Sequence, residues 1–192
     1  MKHILSSIAL ACTLAAAGGS AHAVSVAGVI DNGNAVDTLF TSGTHIGVDV
    51  SFTSGAPVVL NFVLDADDIA VGVLTFDSII REIAGGELSP LRLSLAGASF
   101  SLAGDATALD GSALSSGGAG NAWTLSPTSA TNEAYVGDPF DGGGTDWQIS
   151  TAGLAEGQGI TLTVSQVPEP QSMALLLAGL GLSAAVRRAR RS

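Results

Sequence analysis

Apolar residues recur at every second position through much of the middle of the chain. Ile46, Val48, Val50 and Phe52 alternate with Gly47, Asp49 and Ser51, and Val58, Leu60, Phe62 and Leu64 share one face of the next run. Ile69, Val71 and Val73 oppose Ala70, Gly72 and Leu74. Leu91, Leu93 and Leu95 alternate with Arg92, Ser94 and Ala96, and Ile160, Leu162 and Val164 with Thr161, Thr163 and Ser165. A period of two places one face of a strand against a core. Shorter candidates lie at 24–30, 98–102, 123–125 and 147–150, and the segments between them are rich in Gly, Ser, Asn and Asp, the residues of turns. Eight to ten short strands without a long helix predict an all-β antiparallel sandwich. Residues 78–84 fit a strand or a turn or two of helix, whereas 105–120 and 138–145 read as long loops. No internal repeat is long enough for a solenoid.

The two ends follow a different pattern. Lys2 precedes an apolar run from Ile4 to Ala17 and a small-residue site, Ala21-His22-Ala23, which together read as a signal peptide over 1–23 with cleavage after Ala23. At the other end Val167-Pro168-Glu169-Pro170 is followed by fourteen mostly apolar residues, 173–186, and then by Arg187, Arg188, Arg190 and Arg191. The prolines favour an extended chain, which leaves Glu169 on a strip a protease can grip. Fourteen residues make a helix of about 21 Å at 1.5 Å per residue, short against a bilayer core of about 30 Å. Such a transmembrane helix is a marginal permanent span. The arginines orient it with the tail end cytoplasmic.

The ordered set of signal peptide, Val167-Pro168-Glu169-Pro170, short apolar helix and terminal arginines resembles the PEP-CTERM sorting signal of exosortase substrates in Gram-negative bacteria. The resemblance is confined to the two ends, chiefly 167–192. It implies export through the inner membrane, a transient hold on the membrane, processing near the motif by an exosortase, and passage to the cell surface or the extracellular space. It also implies association with exopolysaccharide and biofilm. The remaining residues, 24–166, form the extracytoplasmic domain.

Removing the ends changes the charge. The segment 24–166 holds sixteen acids against Arg81 and Arg92, a formal charge of −14, whereas the whole chain carries −10. That balance excludes nucleic acid as a partner, because phosphates need Lys and Arg to neutralise them. The segment has no cysteine and no lysine, so stability rests on the core rather than on disulfides.

An inventory of chemistry argues against an enzyme. His45 is the one histidine of the segment, and there is no Gly-x-Ser-x-Gly elbow, no His-Glu-x-x-His and no P-loop lysine. No catalytic residue and no required cofactor is therefore assigned. Acid-rich turns do suit calcium, a hard cation that takes oxygen ligands on flexible loops. Asp65, Asp67 and Asp68 form one candidate set, and Asp138, Asp141 and Asp146, on a glycine-rich loop, form the other. Neither has EF-hand spacing. Trp123 and Trp147 pair with Leu125 and Ile149 at even spacing, which predicts core positions; exposed, they would serve a carbohydrate-binding module. The expected function is thus a non-enzymatic exported surface protein, with a carbohydrate-binding module, calcium-dependent or not, as the second reading and a secreted hydrolase as the third.

Overall fold

The computed structural model describes residues 24–167. The signal-cleavage residues Ala21 and Ala23, the motif beyond Val167, the apolar run and the four terminal arginines lie outside the described residues. Among those described, no helix is long and apolar enough to cross a membrane.

Thirteen strands, more than the eight to ten expected, and one short helix build two sheets: β1 Ser25–Ile30, β2 Ala35–Asp37, β3 His45–Phe52, β4 Val58–Val63, α1 Ala66–Val71, β5 Val73–Glu82, β6 Leu91–Ala96, β7 Ser99–Leu102, β8 Ala106–Ala108, β9 Ser115–Ala119, β10 Ala122–Ser126, β11 Glu133–Val136, β12 Trp147–Ser150 and β13 Gly159–Gln166. The first sheet runs β1-β4-β13-β6-β10-β9, so the last strand is internal to it. The second runs β2-β3-β5-β11-β8, with β12 also pairing to β5 and β7 pairing to β12. Every pairing is antiparallel except β3 with β5, which is parallel over His45–Phe52 and Thr75–Glu82. The chain leaves β3, crosses to the first sheet as β4 and returns through α1, which supplies the crossover that a parallel pair requires.

The alternating positions meet between the sheets. Leu60, Phe62, Leu91, Leu93, Leu162 and Val164 from one side face Ile46, Val50, Phe52, Leu74, Phe76 and Ile80 from the other, all essentially without solvent contact. Trp147 is fully buried and meets Trp123 of the opposite sheet edge-to-face, with ring centroids 5.4 Å apart, and Phe100 at 5.3 Å. Both tryptophans therefore belong to the core region, Trp123 as a half-buried member packed against it.

Two segments depart from the pattern reading, and a third, left open between strand and helix, is strand. Residues 69–71 are helical, not extended. Asp65 caps α1 by accepting from the N–H groups of Asp67 and Asp68, Asp68 reciprocates to the N–H of Asp65, and Gly72 ends the helix in the left-handed region at φ 79°. Capping chemistry overrides a short alternation. Residues 78–82 continue β5 as strand. Within 105–120, β8 and β9 replace the expected loop; β9 is a fully exposed Ser/Gly edge strand, so no apolar periodicity marks it, and it exists by pairing with β10.

One irregularity positions the site. The first part of β5, residues 73–76, pairs with β12, and the later part, residues 78–81, pairs with β11. β11 and β12 thus lie end to end along β5 as one interrupted strand, with the loop 137–146 thrown out between them. Beyond them β7 and β8 are interrupted in the same way at 103–105. Asp77 sits opposite the gap.

Candidate functional site

The outer face of the second sheet is polar where its inner face is apolar. His45 and Asp49 of β3 and Thr75, Asp77 and Arg81 of β5 alternate with core residues and point away from the first sheet. Arg81 is clasped between Glu133 at 2.8 Å and Asp49 at 3.5 Å. Burial pushes the Asp49 carboxyl up, against the hydrogen bond from the Ile79 N–H and the Arg81 charge that hold it down.

A cleft of about 410 Å³ opens on this face, with Asp49, Asp77 and Ile79 among the residues of its floor. Phe40 stands on one side, and Pro139, Phe140 and Asp141 of the interrupting loop on the other. Phe40 and Phe140 are 59% and 65% exposed, and the Phe140 ring meets Tyr135 edge-to-face at 5.2 Å.

His45, Asp77 and Asp146 converge in the cleft, and their donor atoms all lie within 4.8 Å of one another. His45 Nε2 is 3.2 Å from Asp77 Oδ2, and His45 Nδ1 is 3.0 Å from the Thr75 hydroxyl. The hydrogen bond to Asp77 raises the His45 pKa; burial opposes it, and the charges of Asp77, Asp146 and Asp141 add to it. Two glycines make the room. Gly47 pairs with Asp77 across the strands, and a Cβ there would lie 2.7 Å from Phe40 Cβ and 3.0 Å from His45 Nε2. The bare backbone at 47 therefore lets the imidazole lean along β3 towards Asp77. Gly137, at φ 71°, leaves β11 so close to β5 that a Cβ would lie 2.9 Å from Asp77 Cβ and 3.1 Å from Asp146 Oδ1.

The interrupting loop holds itself together. Asp138 accepts from the N–H groups of Gly142 at 2.8 Å and of Gly143 and Gly144 at 2.7 Å, and these bonds, that of Gly142 foremost, lower its pKa. Asp146 Oδ1 accepts from the Asp138 N–H at 2.8 Å, which closes the loop at its base. Asp105, in the interruption between β7 and β8, accepts from the Thr145 N–H and, through its carbonyl, from Trp147 Nε1.

The six acids singled out in the sequence are placed as follows. Asp146 joins the cluster, Asp141 lines the cleft, and Asp138 lines it but spends both oxygens on its own loop. Asp65 and Asp68 cap α1, Asp67 is exposed in its first turn, and none of the three lines the cleft. Asp77 and the partnership of His45 with it were not found by sequence reasoning. Their trace there is slight: Thr75 and Asp77 are polar residues two apart, alternating with Leu74 and Phe76. Val167, the first motif residue, donates its N–H to the Pro90 carbonyl at 2.7 Å, so the ordered sheet reaches to the start of the motif.

No curated protein and no solved structure matches the chain. A family model described as the PEP-CTERM protein-sorting motif matches residues 166–191, beginning at the last residue of β13. That tail makes the chain an exported protein of the exosortase-sorted type, directed to membrane-linked sorting in a Gram-negative bacterium.

Proposed function

We propose that the chain is a non-enzymatic surface or extracellular protein, processed at its sorting motif and retained in an exopolysaccharide or biofilm matrix. The observation that carries this reading is the junction of fold and address. β13 is an internal strand, hydrogen-bonded on both sides to β4 and β6, and the Pro-Glu-Pro motif starts two residues after it ends. A domain held so close to the bilayer suits a temporary hold that cleavage releases. The formal −14 of residues 24–166 keeps the released domain hydrated and soluble.

Intact-mass analysis of the surface protein tests the reading. The wild type is expected to lack residues 173–192, and a chain with Pro168, Glu169 and Pro170 all replaced by Ala is expected to keep them and stay with the membrane. A wild-type surface protein carrying residues 173–192 would overturn processing. Protein that stays free of polysaccharide in every fraction would overturn matrix retention. Glycosidic-bond hydrolysis lost in Asp77→Asn and Asp146→Asn would overturn the non-enzymatic part.

A second reading, a carbohydrate-binding module at the interrupting loop, is favoured by the exposed Phe40 and Phe140 at the cleft. With Trp147 buried, stacking on sugar rings falls to these phenylalanines. Glycan-array signal that drops in Phe140→Ala supports it; silence with and without calcium removes it.

A further inference from the structure

We propose that His45, Asp77 and Asp146 form a binding site for one first-row divalent transition cation, with Zn²⁺ preferred over Ca²⁺ and Mg²⁺. The inference is independent of where the protein is sorted, and it differs from the all-oxygen calcium sets read from the sequence.

Geometry supports it first. The three donors come from β3, β5 and the residue before β12, and converge to within 4.8 Å of one another. Zinc donors at about 2.0–2.2 Å in a tetrahedron lie roughly 3.4 Å apart. The 3.2 Å between His45 Nε2 and Asp77 Oδ2 already matches that separation, and Asp146 closes the set with a small movement. Asp146 commits Oδ1 to the Asp138 N–H, which anchors the carboxylate while its second oxygen remains for an ion.

The surroundings are those of a held ligand set. The Thr75 hydroxyl engages His45 Nδ1, which orients the ring with Nε2 towards the acids, as outer partners of metal-binding histidines do. Asp77 is only 9% exposed and sits opposite the interruption of the sheet, where neither β11 nor β12 pairs with it. Gly47 and Gly137 keep side chains out of the space that the ring and carboxylates share.

The donor set selects the metal class. An imidazole nitrogen with two carboxylates suits zinc, manganese or nickel, whereas calcium and magnesium favour oxygen alone. Two carboxylates and a neutral imidazole balance a 2+ charge. Three protein donors leave one tetrahedral position facing the cleft, open to water or to an oxygen of a bound molecule.

The test uses the exported protein purified without a histidine tag, dialysed against Zn²⁺, Ca²⁺ or Mg²⁺ and analysed for bound metal, with affinity taken from chelator competition. One zinc per chain is expected, at least about 100-fold tighter than calcium. His45→Gln and Asp146→Asn should each weaken zinc by about 100-fold, and Thr75→Val by about 10-fold, the range of outer-partner losses. Glu156→Gln, an exposed acid outside the cleft, should change nothing. His45 is the one histidine of residues 24–166, so ¹⁵N spectra of the wild type read the site without any mutation: zinc should shift Nε2 and leave Nδ1 protonated. Absence of stoichiometric zinc, calcium bound as tightly as zinc, or zinc binding with an unmoved His45 Nε2 would overturn the proposal.

Discussion

Asp68→Asn should make the protein more stable at neutral pH, although it takes the charge from one partner of a capping box. Asp68 is completely buried, and its Oδ2 accepts from the Asp65 N–H at 2.9 Å. Its Oδ1 has no partner, nor does Asp65 Oδ2, which is likewise shut off from solvent. Burial raises the Asp68 pKa, the N–H of Asp65 opposes this, and the charges of Asp65 and Asp67 reinforce it. A folded pKa above the unfolded one means that the native state holds the proton more tightly. The favourable contribution is then complete below the unfolded carboxylate value, about 3.9, and is lost as pH rises through the folded value. At pH 7 the buried carboxyl is therefore a liability. Asn keeps a carbonyl oxygen for the Asp65 N–H and offers an NH₂ to Asp65 Oδ2. Relieving buried unpaired oxygens is worth about 1–3 kcal/mol, and losing an acid from the first helical turn costs about 0.3–1 kcal/mol. The net expectation is a gain of about 1 kcal/mol at pH 7, seen as a Tm rise of roughly 2–4 °C for a chain of this size. The gain should shrink towards zero near pH 4. Urea and thermal unfolding of both proteins across pH 4 to 8 measure it. A variant less stable than wild type at pH 7, or a difference that ignores pH, refutes the reasoning. If calcium then stabilises the wild type but not the variant, the unpaired oxygens hold a cation, as the acid-rich sequence of 65–68 first suggested.

The other predictions concern the cleft and the core. Gly47→Ala forces the imidazole off Asp77, because its Cβ meets His45 Nε2 and Phe40; the His45 pKa should fall towards its ordinary value in an NMR titration, with every acid still in place. Trp147→Ala empties the point where Trp123 and Phe100 meet and should cost about 3–5 kcal/mol in urea unfolding. Asp138→Asn removes the charge that three glycine N–H groups share, so amide exchange at Gly142, Gly143 and Gly144 should accelerate while the core exchanges as before. In the wild type the same loss of protection, taken relative to the intrinsic exchange rate at each pH, should appear only as acid titrates Asp138 through its lowered pKa, since a carboxylate with a depressed folded pKa loses its contribution as pH falls through that value.

How far the sequence discloses this molecule depends on whether each feature is local or needs a distant partner. Strands with one buried face write their own signature, so β3, β4, β6 and β13 are visible as alternation, and their inward residues are the core. The tail is legible for the same reason, since its motif, apolar run and arginines are contiguous. β9 carries no signature because neither face is buried, and β11 is too short to show a period. Residues 65–72 carried two competing local signals, alternation and helix caps, and the caps prevailed because they satisfy backbone donors that an apolar alternation leaves unpaired.

The cluster in the cleft lies at the far end of that scale. Its members are separated by 32 residues from His45 to Asp77 and by 69 from Asp77 to Asp146, and no spacing rule links them. What brings His45 to Asp77 is a parallel pairing, which alternation within a strand does not foretell and which needs a crossover through the other sheet. That pairing sets Gly47 beside Asp77 and so lays the imidazole over the carboxylate. The interruption of β11 and β12 then delivers Asp146 to the same point. The glycine-rich loop, read from the sequence as a set of calcium ligands, also builds the cleft. It closes on its own Asp138, supplies Phe140 to the cleft, and carries one of its three acids, Asp146, to the partners that the sheet had already assembled.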